Sequence, residues 1–459
     1  MKQPEAHKAL LTDLYELTMA AGYFEHKVDC SATFELFVRN LPPERSFLIA
    51  CGLESAFEYL QTLHFSGDEI DFLRGLPAFQ NVSPGFFEYL RHFRFTGEIN
   101  AVAEGTPVFA EEPILQVTAP VLEAQIVETY LLSVINFETL VATKAARTVR
   151  AARGKTVLEF GTRRSQGPEA GLRAARAAYV GGCHATSNVL AGYLYGVPLA
   201  GTAAHSWTQV FPTEQESFEA LLDTFPHTGI LLIDTYDPLA AIEIAARMGR
   251  PVPGVRLDSG DLLEKSVLVR QILDRHDLQD TQIVASGDLN EYKVEELVRC
   301  GAPIDSFGVG TELATSRDVP ALSVVYKLVE TEQAGREHYK TKFSEQKVYF
   351  PGRKQVFRFS SHGQYRYDLI ARADEVCEGG MPLLQPAIQQ GRRLQPPLPL
   401  ASIRDYALQC LAALPEEHQT LSNAAPYPVH KTHALGQLLE DVRDSFFGAA
   451  EGRATGHGV

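Results

Sequence analysis

The chain has 459 residues and a mass of 50.6 kDa, more than one hydrophobic core usually fills, and its 45% hydrophobic and 22% charged residues are ordinary globular values. A formal charge of −15 and a pI near 5.4 argue against a nucleic-acid backbone as partner for the surface as a whole, so a phosphate ligand has to be caught in a local pocket. No run approaches the roughly 20 apolar residues of a membrane span, MKQPEAHK lacks the basic-then-apolar form of a signal peptide, and six scattered cysteines without a CxxC pair suit neither a zinc cage nor a disulfide framework. The expectation is a cytoplasmic protein with reduced thiols and no membrane partner.

In chain order, apolar residues recur at helical spacing from about Leu10 to Phe24, a stretch that carries Tyr15. Ala32–Val38 and Ile99–Val102 have strand character, and residues 122–153 form a long proline-free helical run. After Gly154 short β-rich runs (156–160, 231–234, 255–258, 282–285, 304–309) alternate with helical patterns at 168–179, 186–194, 238–248, 262–275 and 290–300. Strands that alternate with helices imply parallel strands and crossover connections. Five serial units with no GxGxxG turn favour a barrel over an open sheet. From Leu322 the pattern turns antiparallel, with strands expected at 323–329, 347–350 and 356–360, a proline-rich link at 391–399, helices at 403–414 and 434–447, and a polar tail. The predicted architecture is α/β: a barrel over 154–321, a second α+β domain from segments 1–153 and 322–448, and a flexible tail at 449–459.

Residues just past the carboxyl ends of barrel strands converge on one face, so polar motifs there are candidate site residues. Gly201-Thr202-Ala203-Ala204-His205-Ser206-Trp207 sets one imidazole among small residues and hydroxyls, where a phosphate could reach it as nucleophile or base target. The plainer alternative is a core histidine satisfied by a carbonyl. Gly287, Gly308 and Gly310 let backbone N–H groups approach an anion, and helices starting near Leu289 and after Thr311 would aim their positive ends at it. Asp258, Asp261 and Asp288 suit sugar hydroxyls or Mg²⁺, which prefers carboxylate plus phosphate oxygens. Arg163 and Arg256 offer planar forks for phosphate or carboxylate, and Phe160 and Tyr15 offer faces for a flat ring.

These motifs, DLYELTM, EFGTRRSQGPEAG, ATSNVLAG, GTAAHSW, LLIDTYD, RLDSGDL, ASGDLNE and GVGTEL, occur in the order found in nicotinate phosphoribosyltransferases, and the chain resembles that family from about residue 10 to 350. The resemblance implies an irregular α/β barrel with a second domain, in a homodimer whose active sites lie between subunits. It implies that nicotinate and phosphoribosyl pyrophosphate give nicotinate mononucleotide and pyrophosphate, with Mg²⁺ present and ATP hydrolysis coupled through phosphorylation of His205. By position, Tyr15 and Phe160 resemble the pair that sandwiches the pyridine ring, Tyr15 across the dimer. Thr202 and Arg256 resemble contacts to nicotinate or its phosphoribosyl neighbour, and Arg163 a phosphate-side arginine. Asp258, Asp288, Gly308 and Gly310 match the ribose and 5-phosphate site, and Thr311 a sugar-phosphate contact.

Nicotinamide-using relatives carry an aspartate near Ser187, where it accepts an amide N–H₂. A serine can donate to a carboxylate that an aspartate would repel, which favours nicotinate. Cys183-His184 departs from the Phe-Asp of many relatives and leaves the details of that loop open. The rival readings are a nicotinamide phosphoribosyltransferase, a quinolinate phosphoribosyltransferase, whose substrate's second carboxylate needs more basic residues, and a non-catalytic phosphosugar-binding barrel in which His205 is structural.

Overall fold

The computed structural model describes residues 4–344 and 348–454, the side chains of 4–6 and 448–454 aside. Segments from both ends of the chain build one antiparallel sheet of seven strands, in the order Arg336–Tyr339, Val324–Gln333, Ser31–Val38, Pro113–Pro120, Glu98–Ala101, Gln385–Gln389, Arg392–Arg393. Its interior strand Ser31–Val38 is buried along seven of eight positions, with Ala32, Phe34, Leu36, Phe37 and Val38 in the core and Glu35 buried against Lys354. The second domain is thus α+β and drawn from the N- and C-terminal segments, as expected.

Helix α1 (Leu14–Glu25) packs beside the short helix Val121–Ile126. The single helix expected over 122–153 is broken at Val127, and α2 (Glu128–Ala151) follows. The cause lies outside the helix. The Glu16 carboxylate accepts the Thr129 N–H at 2.9 Å, the donor that an unbroken helix would aim at the Gln125 carbonyl. Glu16 therefore caps α2 from a neighbouring helix. α2 then runs through both apolar cores: Val134, Ile135 and Leu140 belong to that of the second domain, Val141, Ala142 and Ala145 to that of the barrel.

The barrel holds six parallel strands, β1 (Thr156–Glu159), β2 (Ala185–Thr186), β3 (Ile230–Leu232), β4 (Gly254–Leu257), β5 (Gln282–Ala285) and β6 (Ser306–Val309), ordered β2-β1-β6-β5-β4-β3. Every neighbour pair is consecutive around a ring that stays open between β2 and β3. A lone parallel bridge from Thr186 to Leu199 starts to span that opening. This is the irregular barrel the sequence suggested, with one strand more. β2 overlaps the start of the expected helix 186–194 at Thr186, and that helix begins only at Val189. Helix α3 (Pro168–Val180) returns β1 to β2, α4 (His205–Val210) begins with His205, α5 (Glu291–Arg299) follows β5, and the four-residue α6 (Thr311–Ala314) follows β6.

Towards the C-terminus, Lys354–Ser361 pairs with Gln364–Arg372, a strand not foreseen. Residues 348–350 form no strand, and residue 347 of that expected run lies outside the described residues. The last helix, His433–Ala454, continues past the predicted start of the tail at 449, whose residues 455–459 lie outside the described residues. Among the described residues no helix is long and apolar enough to cross a membrane.

Candidate active site

The carboxyl ends of β3, β4 and β5 meet around Asp258. Its Oδ1 accepts from Arg256 Nη2 at 2.6 Å and from the Ser286 hydroxyl at 2.5 Å, while Arg256 Nε donates to the same hydroxyl oxygen at 2.7 Å. Arg256 Nη1 donates to Thr202 Oγ1 at 2.6 Å. One guanidinium thus ties the 201–206 segment to β4 and to the loop after β5. Burial alone would raise the Asp258 pKa, but the Ser286 hydrogen bond and the Arg256 charge outweigh it and hold the carboxyl below its ordinary range. Asp234, just past β3, accepts the Asp258 N–H at 2.7 Å and the Ser259 hydroxyl at 2.9 Å, and fixes the turn that presents Asp258.

His205 leans into this cluster. Its Nδ1 lies 3.2 Å from Thr235 Oγ1 and its Nε2 is 3.8 Å from Asp258 Oδ2, too long for a hydrogen bond. The side chain is 42% exposed. The histidine is therefore held through one nitrogen at the mouth and its other nitrogen is free, unlike a core histidine.

Phe160 follows β1 and is buried against Gly308. A Cβ at Gly308 would stand 2.6 Å from Phe160 Cδ2, so the space that glycine leaves is taken by the ring. Glycine at 308 is thus also what lets the Phe160 ring sit against this strand. Gly310 faces the Phe160 carbonyl in the same way, 3.2 Å from a would-be Cβ. Beneath the ring, Glu159 is buried without a basic partner in hydrogen-bond contact. It accepts from Thr186 Oγ1 at 2.5 Å and from the Gly161 N–H, and burial pushes its pKa up in spite of those bonds. The Asn188 amide donates to Thr162 at 3.1 Å, and Ser187 N–H to the Glu159 carbonyl at 3.0 Å. Ser187 and the turn that carries Arg163 are set by this one network. Arg163 is exposed.

Gly287 has φ +91°, and a side chain there would collide with the Asp258 carbonyl, so glycine is required for the loop to pass. Asp288 also takes a positive φ of 46°, and its carbonyl accepts from Lys293 Nζ at 2.8 Å. The helix expected near Leu289 is α5, which begins at Glu291 with Asn290 accepting from Lys293 N–H, and Glu291 itself is buried against Lys144 at 2.7 Å and Arg147 at 3.1 Å. α6 has only four residues, and at Thr311 so short a helix adds little dipole. Asp261 caps the helix Leu262–Arg275 by accepting the Glu264 N–H at 3.0 Å, so one of its oxygens is committed to structure. Tyr15 is not part of the barrel mouth of its own chain. It stands half-exposed on α1 beside Glu128.

Sequence reasoning missed Asp234, Thr235, Ser286 and Glu159 as members of this network. LLIDTYD and ASGDLNE held three of them as recognisable motifs. The Cys183-His184 departure is accommodated locally: burial and Arg404 keep His184 below its ordinary pKa, and its Nδ1 accepts the Val157 N–H at 3.1 Å, which a carboxylate at that position would equally accept.

Family models agree with this arrangement. The nicotinate phosphoribosyltransferase N-terminal domain model matches residues 10–136 and its C-terminal domain model residues 380–439, while the quinolinate phosphoribosyl transferase C-terminal domain model matches residues 141–321. A nicotinate phosphoribosyltransferase of Mycobacterium tuberculosis is 44% identical over 429 residues, 92% of this chain and 91% of that one, and one of Bacillus subtilis is 39% identical over 80% of this chain and 76% of its own. Human nicotinic acid phosphoribosyltransferase superposes with a TM-score of 0.82 at 30% identity, covering 95% of this chain and all of that one. The nicotinate-nucleotide pyrophosphorylase of Pyrococcus furiosus, at TM-score 0.74 and 24% identity over 90% of this chain and 97% of that one, shares the fold. The chain belongs to the nicotinate phosphoribosyltransferase family.

Proposed function

We propose that this chain joins nicotinate to phosphoribosyl pyrophosphate, releasing nicotinate mononucleotide and pyrophosphate, and couples the reaction to ATP hydrolysis through a phosphohistidine at His205. The observation that carries the reading is the free Nε2 of His205 beside an ionised Asp258 that Arg256 and Ser286 hold at the barrel mouth. The pyridine nitrogen attacks C1 of the ribose as the bond from C1 to the pyrophosphate oxygen breaks, and positioning does most of the work. Nε2 of His205 takes the γ-phosphoryl group of ATP with release of ADP. Thr235 holds Nδ1, and Asp258 stabilises the positive ring charge. Loading and loss of that phosphoryl group would change the affinity for substrates.

Asp258 Oδ2 is the carboxylate oxygen that Arg256 and Ser286 leave free, and Asp261 keeps one oxygen beyond its helix cap, so either carboxylate with substrate phosphates fits a hard cation such as Mg²⁺. Such an ion supplies charge neutralisation on the departing pyrophosphate. Ser187 donates to the nicotinate carboxylate, and behind it burial raises the Glu159 pKa, which disfavours the charge that would repel the substrate. Arg163 reaches substrate phosphate from its exposed turn. Thr311 and the backbone of Gly310 remain the candidate sugar-phosphate contacts, with Asp288 on the ribose. A homodimer accounts for Tyr15: Leu14, Tyr15 and Met19 are exposed on α1, and Val189, Leu190 and Tyr193 stand exposed just after Ser187. Burying two such apolar faces against a second copy would bring Tyr15 over the ring held by Phe160.

The test is a product assay with phosphoribosyl pyrophosphate and, separately, nicotinate, nicotinamide and quinolinate. Turnover of nicotinate at least about tenfold above the other two, a difference of roughly 1.4 kcal/mol, is expected. Equal or greater use of nicotinamide would transfer the assignment to the amide. No turnover of any of the three would leave the phosphosugar-binding barrel.

A further inference from the structure

The ring of strands is not filled by its own side chains. A parallel α/β barrel normally packs its interior with layers of branched residues. Here a cavity of about 1220 Å³ opens from the end where the strands begin, between Thr156 at the start of β1, Gln282 at the start of β5 and Ser306 at the start of β6. A void of that size forgoes packing contacts the core would otherwise make. The ring is open between β2 and β3, which leaves that side of the lumen without a strand to fill it.

Thr202, the hydroxyl that receives Arg256, lines the cavity together with Ala204 and Ser206, the neighbours of His205, while His205, Asp258 and Ser286 are not among its lining residues. The space therefore borders the segment that carries the catalytic histidine. Its walls are aromatic and aliphatic, chiefly Trp207, Phe211, Phe225 and Val284. Three large apolar side chains are left in water at its walls: Leu199 is 54% exposed, Val210 81% and Phe225 50%.

No lysine, arginine, aspartate or glutamate lines the cavity among the described residues, and its one titratable side chain, His227, is exposed. A phosphate or carboxylate deeper inside would have no cation to pair with, at a cost of several kcal/mol or more. What it offers is ring faces together with the hydroxyls of Thr156, Thr228 and Ser306 and the amide of Gln282. We propose that the barrel lumen is a second ligand site, separate from the catalytic cluster, that takes an uncharged flat aromatic molecule with hydrogen-bonding groups along one edge. Such a ligand enters from the strand-start end and lies against the segment that carries Thr202 and His205.

Nile red, an uncharged planar dye whose fluorescence rises in apolar surroundings, tests this on the full-length protein. The expected result is saturable one-to-one binding that nicotinate, phosphoribosyl pyrophosphate and ATP do not displace. Thr156→Trp, which fills the entrance, and Phe225→Arg, a substitution at a half-exposed residue of the wall that places a charge there, should each weaken dye binding about tenfold or more. Phe225→Arg decides the matter if Thr156→Trp fails to fold. Displacement by any of the three substrates, wild-type affinity in Phe225→Arg, or no saturable binding would overturn the proposal. Because dye binding is read without turnover, it stands or falls separately from the catalytic reading.

Discussion

Glu16 is fully buried, forms no ion pair among the described residues, and accepts from the Thr12 and Thr129 hydroxyls and the Thr129 N–H. Burial raises its pKa to about 7, although those hydrogen bonds pull the other way. The folded chain then binds a proton that the unfolded chain gives up near pH 4.5, so stability falls as pH rises from about 4.5 through 7. Glu16→Gln removes that liability and keeps an acceptor for Thr129. The melting temperature of the variant relative to wild type should climb between pH 5 and pH 8. A gap that is flat or shrinks over that interval would show that the carboxylate is charged throughout. His205, Arg256 and Asp258 were legible in the sequence because GTAAHSW and RLDSGDL set a potential nucleophile or a charged fork among small and polar residues. Glu16, Asp234 and Thr235 were not, since their importance depends on which atoms they meet: Thr235 matters through a 3.2 Å approach to one ring nitrogen.

At the scale of elements, β6 and the turn after β1 are coupled through the space at Gly308. Gly308→Ala places a methyl 2.6–2.7 Å from the Phe160 ring, and the ring must move because strand backbone moves less readily. The Michaelis constant for nicotinate should rise about tenfold, while that for phosphoribosyl pyrophosphate changes much less. A rise confined to phosphoribosyl pyrophosphate would return Gly308 to the phosphate site, its role in the sequence reading. The alternating strands and helices from residue 154 were legible from periodicity, and the strands 282–285 and 254–257 lie within a residue of expectation. β2 escaped because two residues carry no period, and the break at Val127 escaped because its cause is Glu16, more than a hundred residues away in sequence.

Over the whole molecule, α2 binds the two units through buried charge. Arg176 of α3 donates to both oxygens of Glu104 at 2.9 and 2.7 Å and to Glu138 of α2 at 2.9 Å. Cys51, Glu104 and Glu138 lie close enough together to hold a metal ion, but the Arg176 guanidinium already supplies the positive charge. Arg176→Met would leave the buried Glu104 without its cation, while Glu138 keeps Arg173 at 3.0 Å, and should cost about 3–5 kcal/mol in a denaturant titration, with much of the loss recovered when Glu104→Gln is added. A loss below about 1 kcal/mol would mean that water reaches the cluster. The joining of both chain ends into one domain was foreseeable from the resemblance, but the hollow barrel was not, because an unfilled lumen has no residue signature. The central claim is a phosphorylatable His205 at the barrel mouth, and incubation of wild type and His205→Ala with γ-labelled ATP and Mg²⁺, followed by synthesis with and without ATP, tests it most directly. The account predicts an acid-labile, base-stable label on wild type only, and loss of ATP stimulation with slow ATP-independent synthesis retained in the variant. A variant that is labelled as strongly as wild type, or that keeps its ATP stimulation, would contradict it.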